Sequence, residues 1–143
     1  MKKTTVSRLF SSSLAMLIMV CVQYSFANTL VVVHPSNDSS LSKKDVQRIF
    51  LGKLKTFPNN KPVIPIDLLQ TSKIREEFSE TILKKDMRQL AAYWSRLIFT
   101  GKGLPPKQVT SPKEAKELVA RNPDAIAYID ASLLDDTVKQ LSF

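Results

Sequence analysis

The sequence predicts an α/β fold, a small mixed sheet flanked by helices, and three observations carry that expectation. Short β-branched or apolar runs at 29–34, 62–67 and 125–130 alternate with amphipathic segments. Capping residues open those segments. The chain of 143 residues holds one domain once its first 27 are set apart.

The leading segment, 1–27, reads as a secretory signal peptide. Lys2, Lys3 and Arg8 precede an apolar run from Leu14 to Val22, and Ser25-Phe26-Ala27 supplies a small-x-small cleavage pattern. That run is far below the roughly 20 residues that span a bilayer, so cleavage after Ala27 is expected rather than stable membrane insertion. Cys21 follows Val20, bulkier than the small residue that precedes a lipid-bearing cysteine. Removal takes away the single cysteine, and packing alone must then hold 28–143 together. Net charge falls from +8 to +5, because three of the 21 basic residues leave while all 13 acids stay. The remaining cations alternate with acids in KKD, REE, KKDMR and KEAKE, the pattern of solvated helix faces and not of a nucleic-acid stripe. An exported protein meets little nucleic acid, and the modest basic surplus favours small anions or acidic partners.

Each element follows from local chemistry. TLVVVH (29–34) is β-branched and closes on Pro35 and SNDSS, as a buried strand does. Ser42 and Asp45 frame a capped helix whose apolar face is Val46, Ile49 and Phe50, and Gly52 ends it. PVIPID (62–67) is a strand whose two prolines suit a sheet edge or an irregular start. Ile74, Phe78 and Ile82 recur every four residues, predicting a helix from about Ser72 to Leu83. Asp86 and Gln89 form the capping pair of the next helix, which buries Leu90, Trp94 and Leu97 on one stripe. The loop TGKGLPP intervenes before SPKE (111–114), where a cap, a first-position proline and an acid predict a helix over 112–121. AIAYID and TVKQL read as strands on either side of a tight turn.

Catalytic chemistry finds little support. His34 is the only histidine, a strand-end residue expected to satisfy itself with a local hydrogen bond. Neither a metal cluster, a triad nor a Gly-rich phosphate loop is legible, and the adjacent acids Glu76-Glu77 and Asp135-Asp136 point apart. No cofactor or metal is expected, and no enzyme.

Anion binding is better supported. Lys73 and Arg75 stand in the first turn of a helix, where the partial positive charge of the terminus disfavours cations. An oxyanion held by a Thr71 or Ser72 hydroxyl and the amides of Lys73 and Ile74, with Arg75 folded back as a clamp, would explain them. The simpler alternative is that Ser72 or Thr71 merely caps the helix while Arg75 pairs with Asp67 or a nearby glutamate.

The series LSKKDVQRIFLGK, PVIPID, SKIREEF, YWSRLIFTGKGLPP and NPDAIAYID resembles, in order and spacing, the PstS-like phosphate-binding periplasmic proteins of ATP-driven importers. The likeness runs from about Leu30 to Asp130 and implies one lobe of the type 2 periplasmic binding protein fold. Members of that family are two-lobed clamshells that close on phosphate and pass it to a membrane permease. The resemblance implies an anion site at Thr71, Ser72, Lys73, Ile74 and Arg75, with Ser36 and Asn37 added from the first strand's loop. The family's Ser-Gly-Thr loop is matched at Ser72, with Arg75 and Phe78 following; Lys73 stands for its glycine, Ile74 for its threonine, and Leu68 near a strand-end arginine. Implied partners are phosphate or a similar oxyanion, an ABC permease, and a second lobe or copy. The alternative is a ligand-free, single-lobe interaction module of the cell envelope, with TGKGLPP as its contact loop.

Overall fold

The computed structural model describes residues 28–143; the signal-peptide segment 1–27, with Cys21, lies outside the described residues. Five strands among them make one mixed sheet. In chain order they are β1 (Thr29–Val33), β2 (Ile64–Leu68), β3 (Lys107–Val109), β4 (Ala125–Asp130) and β5 (Lys139–Gln140), arranged β3-β2-β4-β1-β5. Four α-helices connect them: α1 (Lys43–Phe50), α2 (Lys73–Phe78), α3 (Met87–Phe99) and α4 (Pro112–Arg121).

β1 and β4 occupy the middle of the sheet, which is why their sequences are near-continuous apolar runs. Val31 to Val33 and Ala125 to Ile129 are all buried. β1 runs antiparallel to β4 and β5, whereas β2 runs parallel to β3 and β4. The strands read from AIAYID and TVKQL do not form a hairpin with each other: a 3-10 turn at Ala131–Leu133 carries the chain onward, and β5 pairs with β1. The prolines of 62–67 are accommodated by staggered pairing. Ile64 and Pro65 pair only with β4, while β3 joins at Ile66–Leu68, so Pro65 lies where β2 is still an edge on its β3 side.

The helices begin where their caps dictate. In α1 the Ser42 hydroxyl accepts the Asp45 N–H at 3.2 Å and the Asp45 carboxylate accepts the Ser42 N–H at 3.0 Å. Asp86 and Gln89 reciprocate in the same way at 2.8 and 3.0 Å to start α3. Ser111, Pro112 and Glu114 open α4, which spans 112–121 as the sequence predicts. Gly52, just past α1, holds φ +70°, and a Cβ there would lie 3.3 Å from the Trp94 ring. The segment 72–83 differs from a single helix: α2 ends at Phe78, and Ser79–Leu83 widens into a π-helical turn closed by Lys84 at φ 56°. There the Ser79 hydroxyl donates to the Lys85 carbonyl at 2.6 Å, drawing the chain across the helix end.

Phe78 fixes α2 to the sheet. It stacks on Tyr128 of β4 with centroids 3.9 Å apart and meets Phe50 of α1 edge-on at 4.8 Å. Such pairs add ~0.5–1.5 kcal/mol each beyond their burial, enough to set the register of a six-residue helix.

Candidate anion site at the start of α2

β2 ends at Leu68, and a four-residue turn brings the chain into α2. The Ser72 N–H donates to the Leu69 carbonyl at 3.0 Å, closing that turn. The Ser72 hydroxyl accepts the Arg75 N–H at 3.4 Å, a long cap, and the Ser72 carbonyl accepts the Glu76 N–H at 3.1 Å. Among the described residues the amides of Lys73 and Ile74 take no partner. Thr71 and Lys73 are exposed, while Ser72 and Ile74 are half-buried.

Arg75 shares the inward face of α2 with Phe78, three residues on, and is only 4% exposed. Its Nη2 lies 2.9 Å from Asp67 Oδ2. Gln108 of β3, with its amide oriented to satisfy the network, accepts from Nη1 at 2.9 Å and Nη2 at 3.3 Å. Asp67 Oδ1 accepts from the Leu68 N–H at 2.9 Å and from the Tyr128 hydroxyl. The guanidinium at this helix start therefore faces an internal carboxylate, the pairing that the sequence left as the simpler alternative. Burial pushes the Asp67 carboxyl above its ordinary range, while Arg75, Tyr128 and the Leu68 N–H pull it back. Burial, followed by the neighbouring Asp67 charge, pushes the Tyr128 hydroxyl up. Arg75 Nε alone among the guanidinium nitrogens is buried without a partner.

Thr71 to Arg75 are one continuous stretch, but Ser36 and Asn37 do not join them, which corrects their grouping. β1 is antiparallel to β4, and β4 is parallel to β2, so the residues after β1 lie at the end of the sheet where β2 begins. Some five residues of strand, roughly 16 Å, separate that end from the start of α2. There Asn37 is buried and accepts from the Ser39 N–H at 2.9 Å, and the Ser36 hydroxyl meets His34 Nδ1 at 2.7 Å. His34 thus finds its hydrogen bond locally. Tyr128 and Gln108 were not among the residues read from sequence. The signal for Tyr128 was present, since a phenol inside a run as apolar as AIAYID must find a buried partner.

Among the described residues no three His, Cys, Asp or Glu side chains gather where they might hold a metal. None of their helices is long and apolar enough to cross a membrane.

No family model and no curated protein matches the sequence. Solved structures do match. An ABC-type phosphate transport receptor from Vibrio cholerae aligns with TM-score 0.65 and 20% identity, over 80% of this chain and 45% of its own. A Clostridium perfringens structure, described as a phosphate ABC transporter substrate-binding protein with bound phosphate, aligns with TM-score 0.64 and 22% identity over 80% and 44%. The fold is that of one lobe of a phosphate transport receptor. PstS from Borrelia burgdorferi shares it as well, at TM-score 0.60 and 13% identity, over 80% of this chain and 46% of the other. At these identities the likeness is one of fold, and the chain spans under half the length of each.

Proposed function

We propose that residues 28–143, exported to the periplasm by the leading segment, work as a docking lobe built on the phosphate-receptor fold. What supports this reading is the Arg75–Asp67 pair: a receptor's clamp needs a guanidinium open to the ligand, and this one is buried against a carboxylate of its own chain. The departures from the family pattern agree with it. Lys73 puts a Cβ where the family's glycine lets an anion approach the backbone, and Ile74 and Leu68 offer no polar side-chain contact. A single lobe would also leave one side of a small anion in water.

A second reading, an oxyanion-binding protein, is favoured by the open amides of Lys73 and Ile74 beside the Ser72 hydroxyl, together with the unpartnered Nε of Arg75. In it an ABC permease and a second lobe or copy complete the function. Amide NMR separates the two. The docking reading expects the Lys73 and Ile74 signals to stay in place as phosphate is raised to millimolar concentration. A saturable shift at both amides below that concentration overturns it in favour of the second.

A further inference from the structure

We propose that the hollow surface around Tyr93 is a docking site for a bilayer bearing anionic lipid headgroups; the inference rests on the reading of the lobe as a docking module. Tyr93, on α3, lies between two adjoining hollows. Arg48, Lys53, Lys84, Lys85 and Arg96 line one of them. Lys53 and Arg96 continue into the other, where Lys55 and Lys102 join them. No carboxylate lines either hollow.

Tyr93 holds two of these cations over its ring. Lys85 Nζ stands 5.6 Å and Lys53 Nζ 6.0 Å from its ring centroid, and its hydroxyl donates to the Leu51 carbonyl at 2.6 Å. Seven of the 18 cations in 28–143 gather here, leaving 11 against all 13 carboxylates. This face is strongly basic, and the rest of the molecule is slightly acidic.

The apolar rim selects among anionic ligands. Phe99, three residues after Arg96 on α3, is 93% exposed, and Leu104, which lines the larger hollow, is 78% exposed. A free oxyanion would use the cations and leave these side chains in water. The larger hollow, at about 750 Å³, is also more than one small oxyanion fills. A bilayer uses both features, because headgroup phosphates meet the cations at the depth where Phe and Leu enter the acyl boundary. Lysines suit that border, since their aliphatic stems lie along apolar surface while the ammonium groups reach for phosphate.

The test is co-sedimentation of residues 28–143 with vesicles. All the described strands and helices lie in this part, and the apolar run at 14–22 would partition into lipid by itself. Binding is expected to equimolar phosphatidylcholine and phosphatidylglycerol at low salt, and not to phosphatidylcholine alone. The combined Lys84→Gln, Arg96→Gln and Lys102→Gln variant is expected to bind roughly 100-fold more weakly. Phe99→Ser is expected to lose roughly tenfold, a loss that persists at high salt. Lys61→Gln with Lys113→Gln, away from the hollows, should bind as the native chain does. Equal sedimentation with uncharged vesicles, no sedimentation with either, or undiminished binding by the triple variant with a native circular-dichroism spectrum would each overturn the proposal. Heparin binding that ignores Phe99→Ser, without vesicle binding, would overturn it too and point to soluble polyanions. Phosphate shifts at Lys73 and Ile74 bear only on the docking reading, so the two failures are told apart.

Discussion

Arg75 and the cations around Tyr93 carry the same charge in opposite circumstances. Arg75 is buried, faces Asp67 at 2.9 Å and is braced by Gln108. The seven near Tyr93 line open hollows with no carboxylate among them. The first kind of charge is consumed by the fold, because a buried ion left alone is costly. The second kind is free to meet a partner, and the fold gains little from it. Position in the sequence suggested the reverse, since the α2 start resembles a ligand site while KKDMR reads as a solvated face.

The largest effect should come from breaking the internal pair. Asp67→Ala and Arg75→Ala are each expected to lower stability by ~3–5 kcal/mol in urea unfolding, since either leaves the other charge buried alone. The double variant should lose less than the sum, and strict additivity would mean that the two groups do not act as a pair. Tyr128→Phe keeps the stack on Phe78 and removes only the hydroxyl from Asp67, so a loss of ~1–2 kcal/mol is expected by the same measurement.

Acid unfolding sharpens the contrast. Hydrogen bonds from Ser42, Thr110 and Ser132 hold the Asp45, Glu114 and Asp130 carboxyls below their ordinary range, and Lys116 with Thr137 holds Asp135 down to about 2. A depressed carboxyl stabilises the folded chain above its unfolded value and loses that contribution as pH falls, for Asp135 through about 2. Asp67 is displaced upward, so protonation does not remove stability in the same direction. Asp135→Asn should flatten the acid limb of a stability profile measured by denaturant at successive pH values, and Asp67→Asn, which removes a carboxyl that gains stability as pH falls, should steepen it. The smallest effects belong to the open cations. Lys53→Gln or Lys102→Gln is expected to change stability by under about 0.5 kcal/mol.

Much of this was legible in the sequence because the signals were local. The Ser42, Asp86 and Ser111 caps sit beside the helices they start, and the apolar runs of β1 and β4 declare burial on both faces. Asp67 was named as a partner for Arg75 because the two are eight residues apart. Pairing across the sheet was not legible. Nothing near Ser36 says that β1 runs against β4 and carries Ser36 and Asn37 to the far end, and TVKQL gives no sign that its partner is β1. The basic hollow was hidden for the same reason: Arg48 and Lys53 at or just past the end of α1, Lys85 just before α3 and Arg96 late in α3 line one hollow only once the chain is folded.

The central claim, that Asp67 has closed the anion clamp, is tested most directly by calorimetry with phosphate on Asp67→Asn beside the native chain, at a temperature where both are folded. The account predicts no saturable heat from the native chain at millimolar phosphate and a measurable one from the variant, whose Arg75 has lost its internal counter-charge. Tight binding by the native chain, unchanged in Asp67→Asn and abolished in Arg75→Lys, would contradict it.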